Sequence, residues 1–214
     1  MQRTDKVCSP ARFRFAAEHG EPLQCLPMDP KLQKMADCAA ILTCHPATVC
    51  TAVRSIQVEV QRTEGTLELQ YRAEGEFEHV LVPDVAASRR THELWQHTCF
   101  EAFVRSASAE AYIELNFSPS GEWAIYRFTG YRQSMTAVES PPPRISIHRE
   151  DGLLRLDAVI DLEALHELAP GGTLELALSA VIEDSNRRLS YWALAHPSPM
   201  PDFHHAGGFV MRLE

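Results

Sequence analysis

The sequence predicts an all-β protein: an antiparallel β-sandwich, of the jelly-roll or immunoglobulin-like kind, with one short helical crossover. Two observations support this prediction. From residue 41 onward apolar side chains recur at every second position, which is the spacing that puts alternate residues on opposite faces of a strand. Short turn sequences separate these segments, whereas a parallel sheet would need helices between its strands. The chain therefore favours two antiparallel sheets packed face to face.

The alternation is clearest where Ile56, Val58 and Val60 are separated by glutamine and glutamate, before a turn at residues 64–65. A second run of the same kind follows that turn, so the two segments predict a β-hairpin. Clusters of serine, proline, aspartate and glycine predict further tight turns at 118–121 and 150–152. The remaining strands are predicted over 77–82, 94–104, 110–117, 122–128, 144–149, 153–161, 174–183, 189–193 and 209–213.

One helix is predicted within this region, over residues 161–168, with Asp161 as its N-cap and a Pro-Gly-Gly stop after it. Before the strands, residues 1–40 follow neither period and contain several prolines, so we predict a weakly ordered extension followed by a domain at 41–214. Within the extension only 29–40 could form a helix. Alternatively, Leu32 and Met35 dock on the sandwich and cover a sheet edge.

Composition narrows the classes of partner. The 214 residues include 45% hydrophobic and 23% charged side chains, which is typical of a globular chain. A formal net charge of −9 makes nucleic acid and anionic membranes poor partners. No apolar run reaches the length of a membrane span or of a signal peptide, so we expect a cytoplasmic protein. There the six cysteines are expected to be free thiols, although the even spacing of Cys38, Cys44 and Cys50 leaves a zinc site as an alternative.

Two of the predicted strands carry the candidate site. Trp95 and Glu101 share one face of the first strand, and Tyr112, Glu114 and Asn116 share one face of the second. If the strands are neighbours, an aromatic surface with carboxylates and an amide results, which suits sugars. The alternative is that the aromatic residues pack under a loop and the acids are structural.

Four segments resemble the bacterial DOMON-like domains: LWQHTCFEAF at 94–103, YIELNFSPSGEWAIYRF at 112–128, SYWALAHP at 190–197 and PDFHH at 201–205. The resemblance implies a β-sandwich shared with family 9 carbohydrate-binding modules and with the haem-binding domain of cellobiose dehydrogenase. It therefore implies a ligand that is either sugar or haem. Trp95 and Glu101 resemble the aromatic residue and the carboxylate of the sugar modules, with Trp192 as a second aromatic residue and Arg127 as a weaker polar match.

The predicted function is non-catalytic binding of a small ligand, with a saccharide favoured, without a cofactor, nucleic acid or membrane partner. Haem is the alternative, and its axial ligands would come from a methionine and a histidine. The available candidates are Met135, Met200, His196, His204 and His205.

Enzymatic alternatives are weaker. Glu101 and Glu114 could act as a glycosidase acid and base, but the sequence does not fix their separation. His97 lies too far from Cys99 along a strand to activate a thiolate directly. Ser198, close to His196, lacks the glycine elbow of a hydrolase nucleophile. Asp202, His204 and His205 could bind a metal, although a role in loop packing is favoured.

Removal of the N-terminal extension tests its predicted independence. A chain that starts at Met35 should melt at the same temperature as the full chain, because termini that are not tied down contribute little stability. If the extension instead covers a sheet edge with about 1 kcal/mol, thermal melting should record a decrease of roughly 2–4 °C. A larger decrease, or aggregation, would contradict the prediction.

Overall fold

The computed structural model describes residues 38–63, 65–107, 109–166, 168 and 171–214. Over these residues the regular structure is β-strand, apart from three single-turn 3-10 helices at Phe77–His79, Leu94–Gln96 and Ala206–Gly208. The strands are β1 (Cys38–Cys44), β2 (Val53–Arg62), β3 (Thr66–Gly75), β4 (Cys99–Ser106), β5 (Tyr112–Phe117), β6 (Trp123–Phe128), β7 (Thr136–Ala137), β8 (Arg144–Glu150), β9 (Leu153–Asp161), β10 (Leu174–Glu183), β11 (Leu189–Ala193) and β12 (Met211–Leu213).

The strands form two antiparallel layers that are joined through β1. The first layer has the order β8-β9-β3-β2-β1, and the second has the order β7-β6-β5-β4-β10-β11, with β12 also paired to β10. The first five residues of β1 pair with β2, whereas Thr43 and Cys44 pair with β11. One strand therefore passes from one layer to the other, and the sheet curls into the predicted β-sandwich.

The main core lies between the layers and is built from alternate residues of each strand, as the period of two predicts. Leu42, Ile56 and Leu115 represent it, and each is at most 1% exposed. Tyr71 of β3 also lies in this core, and its hydroxyl donates a 2.7 Å hydrogen bond to the backbone carbonyl of Glu101 on β4. The two layers are thus tied together at the strand that carries the candidate carboxylate.

The second layer is also buried on its other face, which is unusual for a sandwich strand that normally faces water on one side. All six residues of β5 are buried, and β4 is buried at every position but one. A second apolar group, here called the outer cluster, covers this face; it comprises Leu94, Cys99, Phe103, Tyr112, Ala124, Tyr126, Phe128, Ala177 and Phe209. The site described below lies on this doubly buried part of the sheet.

The all-β sandwich predicted from the sequence is confirmed, and four local predictions need correction. Successive turns replace the predicted helix in the described part of 161–168, where Asp161 accepts from the backbone of Glu163 and ends β9. Residues 94–96 form a 3-10 turn and the strand starts at Cys99; likewise, residues 77–79 form a turn instead of a strand. Residues 38–40 are strand, and the rest of the predicted 29–40 helix lies outside the described residues, as does most of the 1–40 extension.

The cysteines of the described segments are free thiols, as expected: Cys38, Cys44, Cys50 and Cys99. Cys38 is buried in the main core, and within the described residues the cysteines form no cluster able to hold a metal ion; the group that meets this criterion is the exposed set Glu76, Glu78 and His79. The zinc alternative for the evenly spaced cysteines is therefore not supported. Among the described residues, no helix has the length and apolar content required to cross a membrane.

Because β1 joins the layers, its buried side chains should matter more than its exposed ones. Leu42→Ala should lower the free energy of unfolding by about 2–5 kcal/mol, since it leaves a cavity in the main core. Ile41→Ala is the matched control, because Ile41 is 63% exposed on the same strand, and its effect should stay within about 1 kcal/mol. Urea denaturation measures both; equal losses would contradict the assigned strand register.

Candidate functional site

A pocket of about 340 Å³ opens on the outer face of the second layer. Its floor is formed by strand residues Glu101, Phe103, Glu114, Phe128, Val181 and Tyr191. Its walls come from the 3-10 turn before β4 and from the loops before β7 and β12, which contribute Trp95, Arg132, Met135, Pro201, Phe203 and His204. The pocket combines aromatic walls with two carboxyl groups on its floor.

Glu101 is the most deeply buried acid of the pocket, with 2% of its surface exposed. Its Oε2 accepts a 3.3 Å hydrogen bond from the Ser179 hydroxyl of β10. Its Oε1 has no hydrogen-bond partner among the described residues. Burial raises the pKa of Glu101 well above its usual value of 4.5, and the nearby Glu114 raises it further. Glu101 therefore lines the pocket and keeps one buried carboxyl oxygen without a hydrogen-bond partner.

Glu114 is the second floor carboxyl, on the neighbouring strand. Glu101 pairs with Asn116, and Phe103 pairs with Glu114. The two acids are therefore diagonal neighbours on one face of the sheet, an arrangement in which the residues are typically about 7–8 Å apart along the backbone. The Asn116 side-chain amide donates a 2.8 Å hydrogen bond to Glu114 Oε1. Burial raises the pKa of Glu114 to about 7, against smaller lowering effects of Asn116 and Arg132. The folded protein therefore holds a proton on this carboxyl group at a higher pH than an ordinary glutamate does.

His204 closes the pocket above Glu114 through a chain of hydrogen bonds. The Arg132 backbone N–H donates to the Tyr112 hydroxyl oxygen at 3.1 Å, and that hydroxyl lies 2.8 Å from His204 Nδ1. This arrangement favours an imidazole that accepts at Nδ1 and directs Nε2–H towards Glu114 Oε2, 3.8 Å away. Burial lowers the pKa of His204 to about 4, with a further contribution from the Arg132 charge. His204 is therefore neutral near pH 7 and supplies no counter-charge to the acids.

Two pairs of aromatic rings contribute to the pocket lining. Trp95 is half-buried and packs edge-on against Tyr126 at a centroid distance of 5.8 Å. The turn that carries it begins at Glu93, whose φ of 62° is in the left-handed region that non-glycine residues rarely adopt. In the second pair, Tyr191 of the floor packs edge-on against Phe203 at 5.9 Å. The lining therefore offers aromatic surface to the apolar face of a ligand ring.

Arg132 and Asp202 hold together the two loops that complete the rim. The Arg132 guanidinium donates a 3.0 Å hydrogen bond to Asp202 Oδ1, and the Tyr131 hydroxyl donates a 2.8 Å bond to Oδ2. Arg132 has a φ of 55°, so its loop takes a backbone conformation that costs energy. The ion pair pins the loop after β6 to the loop before β12.

The structure brings together most of the residues predicted from the sequence. Trp95, Glu101 and Glu114 line the pocket. Tyr112 and Asn116 lie immediately behind it, where they bond to His204 and Glu114.

Two predicted residues lie elsewhere. Trp192 packs in the main core, because its ladder partner Ala180 faces inward, and its indole donates to the Ser190 hydroxyl at 3.2 Å. Arg127 is exposed and alternates with Tyr126, so it lies on the opposite face of β6 from the pocket. The sequence prediction for these two positions is therefore corrected: the aromatic residue that β11 contributes to the pocket is Tyr191.

Several residues of the pocket were missed by the sequence prediction, although some left a signal. Tyr191 adjoins Trp192, and neighbouring residues of a strand lie on opposite faces of the sheet. Trp192 therefore faces the main core, whereas Tyr191 faces the pocket. Phe203 and His204 lie in the closing segment at 201–205 that resembles DOMON-like domains, but nothing in that segment assigns them to a pocket. No local pattern identifies Arg132, because its place depends on the pairing of two distant loops.

The alternative chemistries predicted from the sequence find little support. His97 Nδ1 lies 2.8 Å from Glu183, and burial raises the pKa of Cys99 well above its usual value, so no activated thiolate is present there. The two carboxylate oxygens of Asp202 accept hydrogen bonds from Arg132 and Tyr131. His205 Nδ1 accepts a hydrogen bond from the backbone N–H of Gly207. These contacts favour a role in loop packing over a metal site.

Haem does not fit the pocket residues. Met135 and His204 both line the pocket, but the two ring nitrogens of His204 face Tyr112 and Glu114. Among the residues that line the pocket, Glu101 has a buried carboxyl oxygen without a partner, which the apolar face of a porphyrin would leave unsatisfied.

Comparison with known proteins shows the fold. No family model matches the chain, and no curated protein matches it. A protein from Bacteroides uniformis ATCC 8492, named a putative carbohydrate-binding protein, aligns with 80% of this chain and 83% of its own at 15% identity and a TM-score of 0.59. A family 9 carbohydrate-binding module from Caldicellulosiruptor kristjanssonii aligns at 15% identity over 82% of this chain, in complexes with glucose (82% of that chain, TM-score 0.45) and cellotriose (80%, 0.46).

The raised pKa of Glu114 predicts a specific pH dependence of stability. Between about pH 4.5 and 7 the folded protein holds this proton more tightly than the unfolded chain, so the stability it contributes is lost as the pH rises. Relative to Glu114→Gln, the wild-type free energy of unfolding should fall by about 3 kcal/mol from pH 4.5 to 8. Urea denaturation across this range tests it, with Glu139→Gln as an exposed control that should follow the wild type; parallel wild-type and Glu114→Gln curves would contradict the buried acid.

Proposed function

We propose that this protein is a cytoplasmic, DOMON-like binding protein that holds a small saccharide in the outer pocket without catalysing a reaction. The single observation that carries the proposal is the unpartnered Oε1 of Glu101. A buried acceptor without a partner costs about 1–3 kcal/mol, so a ligand hydroxyl that donates to it recovers that loss on binding. Sugar hydroxyls are donors of this kind.

The walls of the pocket support the same class of ligand. Sugars present C–H faces that pack on aromatic rings, and Trp95 and Phe203 offer such rings in the pocket lining. The cavity of about 340 Å³ lies at the small end of ligand sites, which favours a compact ligand over a polymer. Glu114 provides a further polar group at the floor, and Asn116 holds it from behind the pocket. The fold shared with the Bacteroides uniformis protein, which is named for carbohydrate binding, is consistent with this proposal.

The state of the two acids supports binding over hydrolysis. A glycosidase pair needs one carboxylate that stays ionised beside one that keeps its proton. Here burial raises the pKa of both Glu101 and Glu114, and the nearby guanidinium of Arg132 is already paired with Asp202. Neither acid therefore has a bonded cation to hold it in the ionised form that a nucleophile or base requires.

Substitution of Trp95 tests the proposed sugar pocket. We expect isothermal titration calorimetry with a panel of neutral and amino-bearing mono- and disaccharides to detect at least one ligand. For that ligand, Trp95→Ala should weaken binding by about 1–3 kcal/mol, the scale of an aromatic anchor, and leave the melting temperature nearly unchanged.

Trp95→Phe is the matched control, because it keeps a ring on the wall and should retain most of the affinity. Wild-type affinity in Trp95→Ala would contradict the assigned wall, and no binding by any saccharide of the panel, with or without an amino group, would contradict the proposed function.

A further inference from the structure

The charges around the pocket floor do not balance. Glu101 and Glu114 are both buried, and the facing histidine, His204, is neutral near pH 7. Arg132 is the cation of the pocket lining, but its guanidinium bonds to Asp202 on the rim. When both acids are ionised, the floor therefore carries two negative charges without a cation bonded to either.

Such a pair is costly to ionise in the free protein. Two carboxylates on diagonal neighbours of adjacent strands, in a site screened from water, repel each other, and each also loses hydration. A buried ion that lacks a counter-charge destabilises a protein far more than an exposed ion does. A ligand that brings a positive charge would relieve both effects at once, whereas a neutral hydroxyl satisfies a hydrogen bond only.

We propose that the preferred ligand of the pocket is an amino-bearing saccharide, whose ammonium group binds between Glu101 and Glu114. This inference rests on the proposed function and names the ligand class of the same site. The ammonium group donates to Glu101 Oε1, the atom that lacks a partner, and the remaining hydroxyls reach the polar rim.

The aromatic walls suit this ligand as well. A sugar ring packs against Trp95 and Phe203, and an ammonium group close to an aromatic face gains a cation–π interaction. Charge-assisted hydrogen bonds are roughly twice as strong as neutral ones, so the amino group should dominate the choice between otherwise identical sugars. The same reasoning disfavours acidic sugars, which would add a third negative charge.

Binding of an ammonium group should also release protons. The cation favours the carboxylate forms of Glu101 and Glu114, so protons held by these acids in the free protein leave as the ligand enters. The other titratable groups that face the two acids are Cys99, Tyr112, Tyr126, Arg132, Tyr191 and His204. Burial raises the pKa of the thiol and of the three phenols and lowers that of the imidazole, so none of these groups changes charge near neutral pH.

Matched sugar pairs test the inference. Titration calorimetry at pH 6.5 compares D-glucosamine with D-glucose and D-galactosamine with D-galactose. We expect the amino sugar of at least one pair to bind about tenfold more tightly than its neutral partner. Repeating that titration in buffers of different ionisation enthalpy should reveal proton release for the amino sugar and little for the neutral one.

Glu101→Gln should reduce the preference for the amino sugar to less than twofold, whereas Glu139→Gln, an equal change of charge at a side chain 90% exposed, should keep it. The proton-release measurement needs no variant, so it decides the inference even if Glu101→Gln folds poorly. Equal affinities within both pairs, or a preference that persists in a folded Glu101→Gln protein, would overturn the inference and leave the proposed sugar site standing. Failure of all four sugars to bind would count against both.

Discussion

The buried carboxyl group of Glu101 is the constraint on which the pocket depends. Its strand neighbours Phe100 and Ala102 lie in the main core, so alternation along β4 forces Glu101 onto the outer face. Its backbone carbonyl accepts a hydrogen bond from the Tyr71 hydroxyl of the other layer, and this bond ties β4 to that layer. At that position only 2% of the surface of Glu101 is exposed. The protein therefore retains a buried acceptor whose desolvation is only partly offset by Ser179.

The rest of the pocket follows from covering that face. A sandwich strand with a carboxylate outward normally faces solvent, but here the outer cluster and three loops enclose it. The loops are held both by apolar packing of Trp95 and Phe203 against the outer cluster and by polar contacts: Asp202 binds Arg132, and the Tyr112 hydroxyl lies against His204. Left-handed backbone at Glu93 and Arg132 marks two of these loops, a feature that often accompanies ligand sites. Strain at the rim and an unsatisfied acid at the floor point to the same cavity.

The sequence predicted the sandwich because its signal is local. Alternation along 110–117 placed Ile113 and Leu115 in the core and Glu114 outside, as the structure has them. Trp95 and Glu101 were correctly assigned to one surface, although Trp95 reaches it from a turn before the strand. The assignment of Trp192 to the pocket is wrong, because adjacent residues of β11 lie on opposite faces: Trp192 faces the core and Tyr191 faces the pocket. Arg132 could not be found, because its place depends on loops brought together by distant strand pairing.

The most direct test of this account is carbon-13 NMR titration of the glutamate carboxyl groups with and without a bound saccharide. In the free protein, the Glu101 resonance should titrate well above the ordinary value of 4.5, and its pKa should fall when the ligand donates to Oε1. A Glu101 resonance that titrates at the ordinary value and does not respond to ligand would contradict the buried, unsatisfied carboxyl group on which the account rests.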